Sequence, residues 1–422
     1  MDDSNTEKTF QARAGNLAWG GAFVCTTNPD DPVTAGKKAF IRETAPCELV
    51  EAALSEEHRG HIEARLLRVI EESSERVSPP CPLFGDCGGC DLQHISINAQ
   101  RLAKLEMIRS AIRLHSGCTP EKDIRLIGEN LPAYQYRNRI ALHVSPAGEI
   151  GFFRQKSGEV VALKSCLLAS DAINKAIESL LNIKDSIAPA VGKIALDEAD
   201  SKTYAVFMLR ETFQPDSENI QQLKETIARH FPRFEISDGR DVLESNMASE
   251  NDELYPAGHF AQVNDAGNIV LIEHVLGCLD NAEVLDLYAG AGNFSIPLAR
   301  LGRKVTAVEI DPALVSWGEK LACNEKLSDK LRFVKASCER YLRENKAPEA
   351  VLLDPPRSGA KALLQHFRPE RTRKIVYVSC NLPALTRDLR TLKDNGYRLR
   401  SVSVLDMFSQ THHVETISLL EA

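Results

Sequence analysis

The 422-residue sequence has no apolar run near the ~18 residues that a membrane-spanning helix needs, and it has no internal repeat and no low-complexity tract. A membrane-spanning helix and a repeat array are thereby not expected. Positive charge is also short. Lys and Arg number 51 against 59 Asp and Glu, a formal charge of −8, which counts against a polyanionic partner if the charge is evenly spread. The polar, acidic opening MDDSNTEKTFQARAG is unlike an export signal, so a cytoplasmic protein is expected. In that setting the 11 Cys do not form a disulfide framework, and clustered thiols are to be weighed as metal ligands or nucleophiles. A composition 43% hydrophobic and 26% charged is that of a globular protein, with two or three domains expected at roughly 150 residues each.

Three regions follow from the patterning. Short β-like runs at Leu17 to Val24, Cys47 to Leu54 and Ile62 to Ile70 are separated by Gly, Pro and Asp clusters, which suits a small barrel of the OB or a related type over 7–75. After the Ser78-Pro79-Pro80 break come a Cys cluster and one amphipathic helix over Ser96 to Ser116. Its apolar positions are Leu102, Leu105, Ile108 and Ile112, with Gly117 as C-cap. Strand-like runs at Arg139 to Val144, Gly158 to Leu163 and Thr203 to Leu209, with a helix near Asn219 to His230, give a mixed α+β central domain over 76–255, with packing of the 96–116 helix on the domain that follows left open. From 256 to 422 short apolar strands alternate with helices of ten or so residues. These strands are Val284 to Leu287, Val305 to Val308, Leu331 to Val334, Ala350 to Leu353 and Ile375 to Val378. That alternation indicates an α/β, Rossmann-like domain on a parallel sheet.

The first of these strands runs into Asp286-Leu287-Tyr288-Ala289-Gly290-Ala291-Gly292-Asn293-Phe294-Ser295, where glycines at a strand-to-helix turn let the backbone approach a ligand. Glu309 ends the second strand, where a carboxylate can accept from both hydroxyls of a ribose. A dinucleotide site wants a third Gly where this chain has Ser295, so a ligand without a pyrophosphate, such as S-adenosylmethionine, fits better. Asp354, in Leu353-Asp354-Pro355-Pro356-Arg357, ends the fourth strand and faces the same crevice. Cys380, in Ser379-Cys380-Asn381, ends the fifth.

A thiol beside a methyl donor suggests a chemistry. Carbon 5 of a pyrimidine is a poor nucleophile until a thiolate adds at carbon 6; the enolate then takes the methyl group, and a base removes the carbon 5 proton so that the thiol can leave. Candidate bases lie near the C-terminus. Glu415 opens an apolar run, an unusual place for a carboxylate, while His412 and His413 are expected to be solvated in a loop.

Together, Asp286 to Asn293, Asp354 to Arg357, Ser379-Cys380-Asn381 and Leu405 to Glu415 resemble the motifs of the S-adenosylmethionine-dependent RNA 5-methyluridine methyltransferases. The resemblance is most specific over the last 160 or so residues. It implies a class I methyltransferase domain with Cys380 as nucleophile and Glu415 as base. It also implies a cofactor site at Gln262, Tyr288, Asn293, Glu309 and Asp354, with Ser337 where the family often has an acid or amide. The implied N-terminal domain is a TRAM-type barrel, although residues 1–75 here carry eight basic and 14 acidic residues.

Cys81, Cys87 and Cys90 form C-x5-C-x2-C among Gly85, Gly88 and Gly89, a donor set for a soft metal or an iron-sulfur cluster. Zinc stays open as the alternative, although a ribbon normally offers two C-x2-C pairs and only one is present. The fourth ligand must come from elsewhere, and Cys166 is the candidate. In the ribosomal-RNA branch of the resembled family this arrangement holds a [4Fe-4S] cluster. The other six Cys (Cys25, Cys47, Cys118, Cys278, Cys323 and Cys338) are expected to be buried hydrophobes.

The expected partner is RNA, 23S ribosomal RNA before transfer RNA, with no membrane, no obligate protein partner and a monomeric state. Two basic stretches fit it. Arg357 to Arg400 carries 11 Lys and Arg against three acids, and Arg101 to Lys164 carries 11 against six. The second contains Tyr134-Gln135-Tyr136-Arg137-Asn138-Arg139, a candidate RNA surface. A different class, a catalytically idle iron-sulfur RNA-binding protein, competes with the enzyme. Methylation of an adenine amino group is disfavoured, because it expects Asn where Asp354 stands and no thiol nucleophile.

Overall fold

In the computed structural model, which describes residues 7–199, 202–246 and 261–422, the chain builds three sheets. The expected boundary between residues 255 and 256 lies outside the described residues. The first sheet is a closed barrel of β1 (Thr9–Leu17), β2 (Phe23–Thr27), β3 (Lys38–Ile41), β4 (Leu49–Glu57) and β5 (His61–Glu71), in the order β1-β2-β3-β5-β4. Phe10, Ala12, Ala14 and Leu17 alternate inward along β1, the period of a strand with one buried face. The run Leu17 to Val24, expected as one strand, is instead a turn between two. Gly20 and Gly21 take φ of +104° and +88°, which no strand permits.

Next comes α1 (Ile97–Ala111), N-capped by the Ser96 hydroxyl, which accepts from Ala99 N at 3.2 Å. It passes through a π turn to Gly117 in the left-handed region, as expected of the C-cap. Of the expected apolar positions Leu105, Ile108 and Ile112 are buried, and one is not. Leu102 is 61% exposed, while Gln100, Arg101 and Lys104 are buried beside Leu105 and Ile108. β6 (Arg125–Ile127) follows.

The second sheet is formed by β7 (Arg139–Val144), β8 (Ile150–Phe153), β9 (Val160–Ala162), β10 (Val191–Ala199), β11 (Lys202–Leu209), β12 (Phe234–Ser237) and β13 (Val242–Ser245), in the order β13-β12-β11-β10-β7-β8-β9. Helices α2 (Asp171–Ile187) and α3 (Ser217–Ala228) cover it, packing Ile177, Leu180 and Leu223 against Ile194, Phe207 and Ile236.

The third sheet has the expected α/β alternation. Its elements are α4 (Asp265–Cys278), β14 (Glu283–Leu287), α5 (Ser295–Arg300), β15 (Lys304–Glu309), α6 (Pro312–Asn324), β16 (Leu331–Lys335), α7 (Cys338–Glu344), β17 (Ala350–Leu353), β18 (Lys374–Ser379), α8 (Leu382–Asp394), β19 (Arg398–Leu405) and β20 (Glu415–Glu421). The order β16-β15-β14-β17-β18-β20-β19-β6 reverses between β14 and β17, where doubly wound sheets open a crevice at the carboxyl ends of their strands. All four residues of β17 are buried, as in a strand covered on both faces. β6 is the eighth strand, parallel to β19, so α1 and β6 run with this sheet although they fall within the stretch assigned to the central domain. One apolar core runs from Phe10 and Ile41 of the barrel through Leu105 and Ile108 of α1 to Leu353 and Leu385.

Candidate active site

The turn after β14 is held open by its own backbone. Gly290 and Gly292 have φ of +56° and +96°, and a Cβ built on Gly290 would meet no atom within 4 Å, so the turn faces free space. Tyr288 also takes a positive φ, +64°, a costly conformation for an aromatic residue that is retained where the surroundings enforce it. The Glu309 carboxylate braces the turn, accepting from Gly290 N at 2.9 Å, and accepts from Ile310 N and Asp311 N at 2.7 and 2.9 Å. Asn293 pairs reciprocally with Asn268 of α4 at 2.9 and 3.0 Å. Gln262 lies two residues before Asn264, the N-cap of α4. Ser337 is the N-cap of α7, its hydroxyl accepting from Arg340 N at 3.2 Å.

Beneath the turn lies Asp286, fully buried, which the sequence quotes in the motif but does not mark as functional. It accepts from the Ser295 hydroxyl at 2.5 Å, while its Oδ1 has no hydrogen-bond partner among the described residues. Burial, working against the Ser295 hydrogen bond and reinforced by Asp354 and Glu309, pushes its carboxyl up to about 7. Asp354 is likewise raised by burial to about 7. Ser295, the residue in place of a third glycine, therefore has a use of its own: it supplies Asp286 with a donor.

Strand pairing brings Cys380 and Glu415 together. Ser379 of β18 stands opposite Thr416 of β20, and the Thr416 hydroxyl donates to Ser379 O at 2.9 Å. One antiparallel step further, Cys380 follows β18 as Glu415 opens β20, at the same edge of the sheet. Burial first, then Glu415 and Asp354, push the Cys380 thiol up to about 11, while Arg357 opposes the shift. Glu415, 5% exposed, is raised well above the usual carboxylate range by burial and by Asp354, again against Arg357. Burial thus pushes both groups toward their neutral forms, with Arg357 the cation that favours ionising both. Sequence patterning did not single out Arg357.

The loop leading to Glu415 is held by residues 143 to 321 positions away. Lys104 Nζ donates to Asp406 Oδ1 at 2.5 Å and to Phe408 O at 3.1 Å. Gln100 donates to Gln410 Oε1 at 2.9 Å and accepts from Gln410 N at 2.9 Å. The Tyr136 hydroxyl donates to Ser409 O at 2.9 Å, and Asn264 donates to Met407 O at 2.8 Å. Asp91 binds His412 through its backbone N at 3.1 Å and Nδ1 at 2.7 Å. The expectation that His412 and His413 are solvated is therefore corrected: both are half-buried, and burial takes His413 down to about 4.

Cys81, Cys87, Cys90 and Cys166 line one pocket with Leu83, Phe84, Phe152, Leu163, Leu168 and Arg137. Burial raises the Cys87 thiol and takes that of Cys90 to about 12; nearby Cys166 adds to both shifts. Among the described residues, the sites whose ligand atoms all fall within 4.8 Å of one another do not include these thiols. A single tetrahedral ion with sulfur at ~2.3 Å would hold its ligands roughly 3.8 Å apart.

Two other expectations change. Within Tyr134 to Arg139 only Tyr136 is buried, spent on the Glu415 loop; Gln135 is exposed, and of the half-buried remainder Arg137 lines the cysteine pocket and Arg139 pairs with Asp197. Of the six remaining Cys, Cys25, Cys118 and Cys338 are buried and Cys278 is partly so, but Cys47 and Cys323 are exposed. No helix among the described residues is long and apolar enough to cross a membrane.

Comparisons with known proteins converge on one activity. The family described as tRNA (Uracil-5-)-methyltransferase matches residues 221–422. The 23S rRNA (uracil(1939)-C(5))-methyltransferase RlmD of Shewanella sp. (strain ANA-3) is 31% identical over 418 residues, covering 92% of this chain and 91% of that protein. The enzyme of the same description from Acidithiobacillus ferrooxidans is 32% identical over 415 residues, covering 92% and 93%. The crystal structure of Pyrococcus abyssi tRNA (uracil-54, C5)-methyltransferase in complex with S-adenosyl-L-homocysteine shares the fold, with a TM-score of 0.73 at 21% identity over 97% of this chain and 99% of that one.

Proposed function

The chain belongs to the family of S-adenosylmethionine-dependent enzymes that methylate carbon 5 of uracil in RNA, and from that premise we propose that its substrate is a uridine of 23S ribosomal RNA. The observation that carries the catalytic assignment is the convergence of Cys380, Glu415, Asp354 and the Gly290 turn at the carboxyl edge of one sheet. S-adenosylmethionine supplies the methyl group. Tyr288, Asn293, Glu309, Asp354 and Gln262 would hold it, and the open Gly290 turn and the unpartnered Asp286 Oδ1 suit a ligand there. Ser337, committed to a helix cap, is the weakest member of that set.

In this reading Cys380 and Glu415 both ionise under the field of Arg357, their protons passing to solvent before the chemistry; the thiolate then adds to carbon 6 of the uracil, and the ring electrons move to oxygen 4. Carbon 5 then attacks the methyl group. The Glu415 carboxylate takes the carbon 5 proton, the carbon 5–carbon 6 double bond re-forms, and the Cys380 thiolate leaves.

The four pocket thiols of Cys81, Cys87, Cys90 and Cys166 would hold a [4Fe-4S] cluster, supported by their meeting in one pocket and by the apolar wall around them. The group would fix the 81–91 loop, where Gly88 N also donates to Phe153 O at 2.9 Å, and so place Asp91 against His412. The substrate assignment is tested by labelled methyl transfer to 23S ribosomal RNA and transfer RNA transcripts side by side. Incorporation into the 23S transcript is expected, and incorporation into transfer RNA alone would refute it.

A further inference from the structure

Trp19 is one of two tryptophans in the chain, and it packs only in part against the core that the barrel shares with α1. It occupies the Ala18–Ala22 turn between β1 and β2, closed by Ala18 N donating to Ala22 O at 2.8 Å, and it is half-buried. Its ring reaches across to the loop before Glu415, edge-on to His412 at 5.5 Å and to His413 at 6.0 Å. Phe408 flanks His413 at 6.4 Å, and it too keeps part of its ring in solvent. Arg42 fastens this assembly, bonding Gly20 O in the Trp19 turn and Asp91 at 2.9 Å, while Asp91 holds His412. His413 lies two residues before Glu415 and within the field of Arg357, the same cation that acts on Cys380.

We propose that Trp19, His413 and Phe408 form a stacking platform at the mouth of the active site for a nucleobase flanking the target uridine. The proposal rests on the RNA-methylating reading above. Chemistry on carbon 5 requires the target base to leave its stack, and the neighbours it abandons need new aromatic faces. Stacking is indifferent to charge. It therefore gives the barrel, with its excess of acidic residues, a part in substrate binding that an electrostatic clamp could not. His413 serves as a neutral ring, since its burial disfavours the imidazolium.

The test uses a Trp317→Phe protein, in which Trp19 is the only tryptophan, titrated with a 23S ribosomal RNA transcript and, in parallel, a transfer RNA transcript. Quenching of Trp19 emission on RNA binding is expected. Trp19→Ala should raise KM for RNA roughly tenfold while leaving KM for S-adenosylmethionine unchanged, and Trp19→Phe should restore most of the loss. Unaltered emission at saturating RNA, or a Trp19→Ala enzyme with unchanged KM for RNA, would overturn the platform. If Trp19→Ala does not fold, the quenching experiment decides by itself. Quenching by either transcript supports the platform whether or not 23S RNA accepts methyl groups, so a wrong substrate assignment and a wrong platform give different results.

Discussion

Replacing Lys104 by Met probes how the Glu415 loop is held. Lys104 is fully buried in α1 and bonds Asp406, itself 1% exposed, at 2.5 Å and the carbonyl of Phe408 at 3.1 Å. Burial pulls the Lys104 ammonium down and Asp406 pulls it back up, so its charge depends on the pair. Removing one member of such a pair strands the other without water, at a cost of about 3–5 kcal/mol. An exposed pair would cost at most about 1 kcal/mol. Combining Lys104→Met with Asp406→Leu should recover part of the loss, because no lone carboxylate remains. Recovery should be incomplete, since Arg101, 3.7 Å from Asp406, then lacks its acid and Ser409 loses an acceptor. Urea unfolding followed by near-ultraviolet circular dichroism, at matched metal content and with slopes compared, measures all three variants. A loss below about 1 kcal/mol for Lys104→Met would refute the argument that this buried pair fixes the loop.

Three further outcomes follow from the site. With the Cys380 thiol near 11, its alkylation by iodoacetamide in the free enzyme should rise about tenfold per pH unit between pH 7 and 9; a plateau in that window would show that the thiol ionises far more easily. Cys166→Ser should lower iron and acid-labile sulfide in anaerobically purified protein, whereas full retention of both would remove Cys166 from the ligand set. Asp286 has its folded-state pKa raised, so its contribution to stability is complete below its unfolded value of 3.8 and is lost as pH rises toward about 7. Asp286→Asn should flatten the fall in stability over that window, and an undiminished slope would place the titration elsewhere.

The sequence displayed the parts of the site that depend on local order. Alternating strands and helices indicated the parallel strands of the sheet, though not β20, which runs antiparallel to β18 and β19, and glycines at a strand end indicated the Gly290 turn. Cys380 was visible because strand ends are where ligand chemistry gathers in such sheets. What stayed hidden depends on contacts between distant segments. Lys104 and Asp406 are 302 positions apart, and nothing in the α1 pattern shows that a lysine turns inward while Leu102 turns to solvent. The Tyr134 to Arg139 run has the composition of an RNA surface, yet the loop before Glu415 takes Tyr136 from it and the cysteine pocket takes Arg137. Three-residue β6 carries no periodicity long enough to mark it, and its place is set by an open edge of β19. His412 and His413 look like loop residues because they are; their burial comes from Trp19 and Asp91, which the barrel and the cysteine loop bring to them.

The central claim is that Cys380 bonds covalently to the pyrimidine. In RNA carrying 5-fluorouridine the carbon 5 position holds no proton for Glu415 to remove, so the enzyme should stall after methyl transfer. Denaturing electrophoresis and peptide mass spectrometry of the wild-type reaction should show a stable protein–RNA adduct at Cys380, absent from Cys380→Ala. An adduct that persists in Cys380→Ala, or one mapped to another residue of the wild-type chain, would contradict the account.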